Sequence, residues 1–265
     1  MECKICKFKN PKMTATAIII NDGKLLVVKR KKEPFIGKWD FVGGFLNQGE
    51  LPMEALKREL REELNVKIKR AEFLDNFAGT YKYAGEVFPI VSATYVVEIG
   101  GKIKLDNENS EYSFMDPKKI DIAFDSNKDI LSKVTKMITS FKESQMLVNQ
   151  LDSTATVSEF NLYSAQLNGY VYKKYLGRKL VGMGWIFPRQ TMLRKQAVIE
   201  DMIVEEGMRG KGYGKEIVLA LIKWARKNKI EVIELTSNPK RIAANELYKN
   251  VGFKLHPTNH YLFSV

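Results

Sequence analysis

The sequence predicts an α/β protein of two domains. Three observations lead there. The chain has 265 residues and a mass of 30.4 kDa, more than one core usually needs. Apolar β-branched runs alternate with segments of helical periodicity. Twice a glycine-bearing loop opens onto a helical pattern, first after Gly43-Gly44 and again through Gly210, Gly212 and Gly214. Hydrophobic residues make up 45% and charged residues 28%, the balance of a soluble globular chain.

The elements follow in order. Residues 14–20 are apolar and β-branched, Asn21-Asp22-Gly23 is a tight-turn signal, and residues 24–29 are apolar again, so a hairpin is expected. Residues 39–46 read as a strand ending at Gly43-Gly44. Pro52 suits the first turn of the helix that follows, while Leu51 before it offers no capping acceptor. Leu56, Leu60 and Leu64 would form that helix's buried stripe. Residues 88–99 are a long strand candidate and residues 130–141 a closing helix. The stretch 142–169 is mostly polar. Thr156 and Glu159 have capping-box spacing, and Asn168-Gly169 is a stop signal, so a helix is expected between them. Strands are then expected at 170–176, 179–187, 197–204 and 231–237, with a helix after Gly214 that presents Ile217, Leu221 and Trp224 on one face. The domain boundary falls near residue 140, which gives an N-terminal segment 1–10, a first domain 11–140 and a second domain 141–265.

Charge is uneven. Residues 1–140 carry 24 Lys+Arg and 20 Asp+Glu, while the remaining 19 and 11 belong to 141–265, so +8 of the net +12 lies in the second half. A polyanionic cofactor or nucleic acid would suit such a surface. No nucleic-acid reading motif is present, which disfavours the second. No apolar run reaches the length of a membrane span and no apolar signal core opens the chain, so a cytoplasmic protein with no membrane partner is expected. The two cysteines, Cys3 and Cys6, agree with a reducing compartment. A homodimer is compatible with the sequence.

Glu59, Glu62 and Glu63 stand at i, i+3, i+4 behind Arg58. On a helix they share one face, where their mutual repulsion would be relieved by a hard divalent cation. A solvated acidic face is the alternative. The upstream residues bear on this. Gly44, five residues, Glu50, seven residues and then Arg58-Glu59-Leu60-Arg61-Glu62-Glu63-Leu64-Asn65-Val66 resembles the Nudix box, G-x5-E-x7-R-E-U-x-E-E-x-G-U with U aliphatic. Asn65 replaces the final glycine and is the residue type next most willing to take a left-handed backbone. The resemblance implies an α/β/α sandwich with a mixed sheet. It also implies Mg2+- or Mn2+-dependent hydrolysis of a nucleoside diphosphate derivative. Glu59, Glu62 and Glu63 would be metal ligands together with Glu50 and the Gly43 carbonyl, Glu59 a candidate base, and Arg58 its orienting partner. Phe35, Tyr81, Tyr83 and Phe88 could stack a base or simply pack in the core. Cys3-x-x-Cys6 resembles half of the zinc ribbon that precedes some Nudix domains, but no second pair follows.

In the second half a strand, a basic glycine loop and a helix start together make an anion site, because backbone N–H groups and the helix dipole face the loop. Arg209-x-x-Gly212-x-Gly214 resembles the pyrophosphate loop of the GNAT acetyltransferases, Q/R-x-x-G-x-G/A. The run from Arg241 through Asn245 and Tyr248 to Gly252-Phe253 resembles their second signature, in which many members carry Asn where Arg241 stands. The resemblance implies a GNAT-type mixed sheet flanked by helices, with acetyl-CoA as co-substrate and an amine as acceptor. Arg209, Gly210, Lys211, Gly212, Tyr213 and Gly214 would hold the cofactor with Arg241 and Asn245. Glu200 is the candidate base with Asp201 its rival, and Tyr248 would protonate the departing thiolate. Packing against Leu247 and Phe253 is the structural alternative for Tyr248. The expected protein is thus a bifunctional enzyme. The alternative is an acetyltransferase regulated by a nucleotide-sensing, non-hydrolytic Nudix module.

Overall fold

The computed structural model describes residue 7 and residues 10–138, 141–151 and 158–263. Cys3, Cys6 and Thr156 lie outside the described residues. The backbone separates into two compact units, one formed by the described residues up to 142 with 158–167, the other by 143–151 and 168–263.

Among the described residues the first unit is built on a seven-stranded mixed sheet. The strands are β1 (Lys12–Asn21), β2 (Lys24–Arg30), β3 (Trp39–Asp40), β4 (Val42–Phe45), β5 (Lys67–Tyr83), β6 (Glu86–Gly100) and β7 (Asn109–Met115). Strand β1 runs parallel to β6 from Lys12↔Ile90 to Ile19↔Val97, and antiparallel to β4. The strand expected over 39–46 is broken at Phe41. Before it, β3 pairs with β2, and after it, β4 pairs with β1, so the chain changes partner at that residue.

Period-2 geometry sends alternate side chains to opposite faces. Ile18, Leu25 and Val27 enter one core with Ile130 and Val134, while Ala17, Ile19, Leu26 and Val28 enter the other with Leu56, Leu60 and Leu64. The strands are therefore apolar on both faces, which explains why β1 and β2 read as continuous hydrophobic runs. Helix α1 (Pro52–Leu64) covers the second face. It starts without a side-chain cap from Leu51, but Glu54 accepts the Leu51 N–H at 2.9 Å. It ends at Asn65, whose φ of 56° and ψ of 37° are left-handed and whose N–H reaches the Arg61 carbonyl.

The opposite face holds α2 (Asp125–Ile138) and α4 (Glu159–Leu167), separated in the chain by α3 (Phe141–Leu151). Helix α2 begins five residues before the apolar periodicity does, because its first turn is polar and Asn127 is spent on a buried contact with Asp40. Helix α4 is tied to the β1–β2 turn through Glu159, which accepts the N–H groups of Asp22 and Gly23 at 2.9 Å each. Strands β5 and β7 form where periodicity alone raises no expectation, and most of β5 is exposed or half-buried.

Among the described residues the second unit has a four-stranded sheet ordered β11-β10-β9-β8. Its strands are β8 (Tyr170–Leu176), β9 (Lys179–Gln190), β10 (Lys195–Val204) and β11 (Val232–Leu235). The β10–β11 pair is parallel and the others antiparallel. Helix α5 (Tyr213–Lys227) buries Ile217, Leu221 and Ala225 on this sheet, and Trp224 stacks on Tyr170 with ring centroids 6.0 Å apart. Helix α6 (Ile242–Val251) follows β11. The expected strand over 231–237 stops at Leu235, which leaves Thr236 and Ser237 free to line a cavity.

Candidate active sites

In the first unit the turn after β4 is pressed against its neighbours. A Cβ on Gly43 would stand 2.1 Å from the Ala15 carbonyl oxygen, and one on Gly44 would stand 2.3 Å from Glu59 Oε1. Any side chain at 43 would therefore push β4 off β1. Only a glycine at 44 lets the Glu59 carboxylate lie against the backbone.

Arg58 organises the acidic residues around it. Its Nε and Nη2 donate to Glu50 at 2.9 and 3.0 Å, Nη1 donates to Glu59 at 2.6 Å and to Glu62 at 3.1 Å, and Nη2 also reaches the Phe45 carbonyl at 3.0 Å. This fan of charge-assisted bonds, above all that to Glu50, keeps the guanidinium protonated. Glu62 points outward, its side chain 57% exposed. Glu63 turns inward instead. It is 8% exposed, accepts the Gly43 N–H at 3.1 Å and the Asn109 Nδ2–H at 2.7 Å, and pairs with no cation among the described residues. Burial pushes its carboxyl up to about 8, with the charges of Glu59 and Asp40 adding to the effect. Burial also raises Glu59, against the pull of Arg58.

Among the described residues no group of three or more His, Cys, Asp or Glu side chains converges as a metal site. Glu59 and Glu62 face Arg58, while Glu63 faces Gly43 and Asn109. The donor set nonetheless suits a hard divalent cation. It consists of oxygens, and it contains one buried carboxylate, Glu63, whose hydrogen-bond partners are neutral, beside Glu59, which pairs with Arg58. Asn109, which supports Glu63 from β7, carries no sequence signal that could have found it.

Three of the four aromatic residues singled out from the sequence belong to one cluster, joined through Phe124. Tyr81 stacks between Phe88 at 5.2 Å and Phe124 at 5.3 Å, Phe35 meets Phe124 edge-on at 5.1 Å, and Phe45 meets Tyr81 at 5.2 Å. Tyr83 flanks it, 6.5 Å from Tyr81. Lys12 Nζ lies 4.1 Å from the Phe88 centroid and the Arg30 guanidinium 5.0 Å from that of Phe124. Beneath this wall Arg30 pairs with the buried Asp40 at 2.8 Å, and Asn127 holds the other Asp40 oxygen at 2.6 Å.

In the second unit, residues 209–212 connect a short 3-10 turn to α5, whose first two residues are Tyr213 and Gly214. Gly210 and Gly212 have φ of 78° and 83°, and nothing stands within 4 Å of where their Cβ atoms would be. Glycine is needed there for conformation, since the space is open. Gly212 caps α5 with no side-chain acceptor, so the first N–H groups of the helix face outward with the helix dipole behind them. Lys211 is exposed on the loop, as is Arg209, which also donates to the Val204 carbonyl at 3.2 Å. At the same helix end Glu216 is held by Lys174 and by the Tyr172 hydroxyl.

A cavity of about 390 Å³ opens where β10 and β11 part company. Their pairing ends at Ile199↔Leu235 while β10 runs on to Val204. Glu200, Asp201, Tyr248 and Arg241 all line it. Successive strand residues normally face opposite ways, but the β9–β10 register shifts after Glu200 and Asp201 is left-handed at φ 50°, which brings both carboxyls to one space. Burial and the neighbouring Asp201 charge raise Glu200. Burial raises the Tyr248 phenol, so it keeps its proton, and its ring also meets Phe253 at 6.1 Å. Asn245 lies one turn before Tyr248 and donates to the Asn238 carbonyl at 3.0 Å.

A family model described as the NUDIX domain matches residues 11–135, and one described as the acetyltransferase (GNAT) family matches residues 137–253. Over 125 residues the chain is 34% identical to an ADP-ribose pyrophosphatase of Methanocaldococcus jannaschii, covering 46% of this chain and 73% of that protein. Over 121 residues it is 31% identical to the nucleoside triphosphatase NudI of Escherichia coli, covering 42% of this chain and 84% of that one. A solved MutT NUDIX hydrolase from Burkholderia pseudomallei aligns at 23% identity and TM-score 0.42, covering 47% of this chain and 97% of its own.

Proposed function

The chain belongs to the NUDIX family through its first domain and to the GNAT acetyltransferase family through its second. From that premise we propose a bifunctional enzyme. One half hydrolyses a nucleoside diphosphate-linked substrate with a divalent metal, and the other transfers acetyl from acetyl-CoA to an amine. We place the domains at 11–140 and 141–265, with 158–167 of the second stretch packing in the first compact unit.

The observation that carries the hydrolase reading is the placement of Glu63, buried on α1 beside Glu59 and against Gly43 with only neutral partners. Glu59, Glu62 and Glu63 would hold Mg2+ or Mn2+, with Glu50 and the Gly43 carbonyl as further oxygen donors. When bound, the metal neutralises charge that develops on the diphosphate. Arg58 fixes the rotamer of Glu59, and a carboxylate held that way and raised by burial can take a proton from the attacking water. The Phe88–Tyr81–Phe124 wall offers a face on which a base can stack. ADP-ribose, named for the archaeal relative, is the first compound to test, within a panel of nucleoside diphosphate derivatives with and without Mg2+. Release of nucleoside monophosphate only with the metal supports the reading.

One observation favours the nucleotide-sensing alternative: Arg58 already serves as the counter-ion of Glu50, Glu59 and Glu62. A nucleotide that binds without turnover, yet changes acetyl transfer, would establish that alternative.

For the second half, the N–H groups of residues 209–214 would receive the cofactor's pyrophosphate, and Lys211, Lys215, Arg241 and Asn245 would line its path. Glu200, with Asp201 as its rival, takes through water the proton that makes the amine nucleophilic. Tyr248 gives its proton to the thiolate. Calorimetry with acetyl-CoA, followed by an amine panel scored for free thiol, tests this half. Absence of acetyl-CoA binding would remove it.

A further inference from the structure

The residues after α6 carry a feature that the acetyl-transfer reading does not use. Residues 254–263 form no helix or strand and are exposed throughout, with Tyr261, Leu262 and Phe263 each more than four-fifths open to solvent. Yet His260 lines the same cavity as Glu200, Asp201, Arg241 and Tyr248. It is one of two histidines in the chain; His256, four residues earlier, is not among the lining residues. An imidazole exchanges protons readily near neutral pH, whereas the carboxyl of Glu200 is half-buried. A base in that position must shed each proton it takes before it can act again.

We propose that His260 is the proton outlet of the acetyl-transfer cavity, carrying to solvent the proton that Glu200 removes from the acceptor amine. The proposal rests on the acetyl-transfer reading above. An ammonium group gives one proton to Glu200. The free amine attacks the thioester carbonyl, a C–N bond forms and the C–S bond breaks. Tyr248 protonates the thiolate and is restored by the second nitrogen proton. Glu200 passes its proton to the neutral imidazole of His260, and the imidazolium releases it to water. One proton leaves per turnover, as the overall reaction requires. The electrostatics agree, since burial and Asp201 raise Glu200 while His260 draws it down. Arg241 and Tyr248 are the other charged or titratable groups on the cavity wall.

Two measurements on the full chain decide the matter. First, NMR titration of the two imidazoles compares wild type with Glu200→Gln. The His260 curve should move to lower pH in the variant while that of His256 stays put. Identical His260 curves overturn the proposal. Second, acetyl-CoA turnover is followed in weak buffer with spermidine, free lysine and tyramine. His260→Ala should lose about 10-fold or more in kcat with KM for acetyl-CoA unchanged, and added imidazole should restore the rate. A loss that imidazole does not rescue, or no loss, also overturns it. If wild type binds acetyl-CoA but acetylates none of the amines, it is the acetyl-transfer reading that fails, and the titration still decides whether Glu200 and His260 are coupled.

Discussion

The two candidate sites manage charge by opposite means. On α1 the charge is negative, carried by side chains and partly buried, so packing must fix it: Leu56, Leu60 and Leu64 anchor the helix with no exposure at all, and Arg58 and Asn109 hold the carboxylates. At residues 209–214 the field is positive, carried by backbone N–H groups and a helix start, and two left-handed glycines shape it with almost no packing. A side-chain site is thus sensitive to a change of one functional group. A backbone site is sensitive to a change of conformation.

Four substitutions break or sharpen that contrast. The largest effect is expected from Glu63→Gln, which keeps the shape and removes a carboxylate: metal-dependent hydrolysis should fall at least ~100-fold in kcat with the fold intact by circular dichroism. Unchanged turnover would refute the assignment of Glu63. Tyr248→Phe comes next. It removes a proton donor but keeps the ring against Phe253, so acetyl transfer should drop by up to about 100-fold while the melting temperature holds. If turnover holds as well, Tyr248 only packs.

Lys173 on β8 tests the cost of burying a charged side chain. Burial lowers its pKa from 10.5 to about 8, with Glu143 opposing. Below pH 8 the side chain is charged in both folded and unfolded chains, so the burial penalty is fully present. Between 8 and 10.5 the folded protein releases the proton while the unfolded chain keeps it, and stability rises with pH. Lys173→Met should therefore exceed wild type by about 2 kcal/mol near pH 7, with the gap closing only above pH 10.5 in denaturant titrations. A gap independent of pH would show that charge is not the cause. The smallest effect belongs to Gly212→Ala. The new methyl meets nothing, so the cost is the left-handed backbone alone, about 1 kcal/mol, read as weaker acetyl-CoA binding in calorimetry. Equal affinity would mean that the loop conformation is not what the cofactor reads.

Much of this was legible in the residues. The stripe of leucines on α1, the left-handed Asn65 and the strand–loop–helix order around Gly212 all follow from local rules, because periodicity and backbone preference act within a few residues. Strands β5 and β7 were not legible. The pattern of β5 is mostly exposed, and its pairing with the apolar β6 holds it in the sheet. Phe124 lies near the start of α2 and shows no sign in sequence of completing the aromatic wall around Tyr81.

Sequence by itself determined which chemical groups are present and how they are spaced along single elements: three glutamates within one and a half turns, a glycine loop before a helix, a tyrosine in its signature. Tertiary structure alone decided which way each of them faces. It turned Glu63 inward to Asn109, gave Glu59 and Glu62 to Arg58, and set Glu200, Asp201, Tyr248 and His260 around one cavity. The physical reason is range. Spacing is set by covalent geometry a few residues long, whereas burial and the partners of a charge depend on segments that meet only when the sheets assemble.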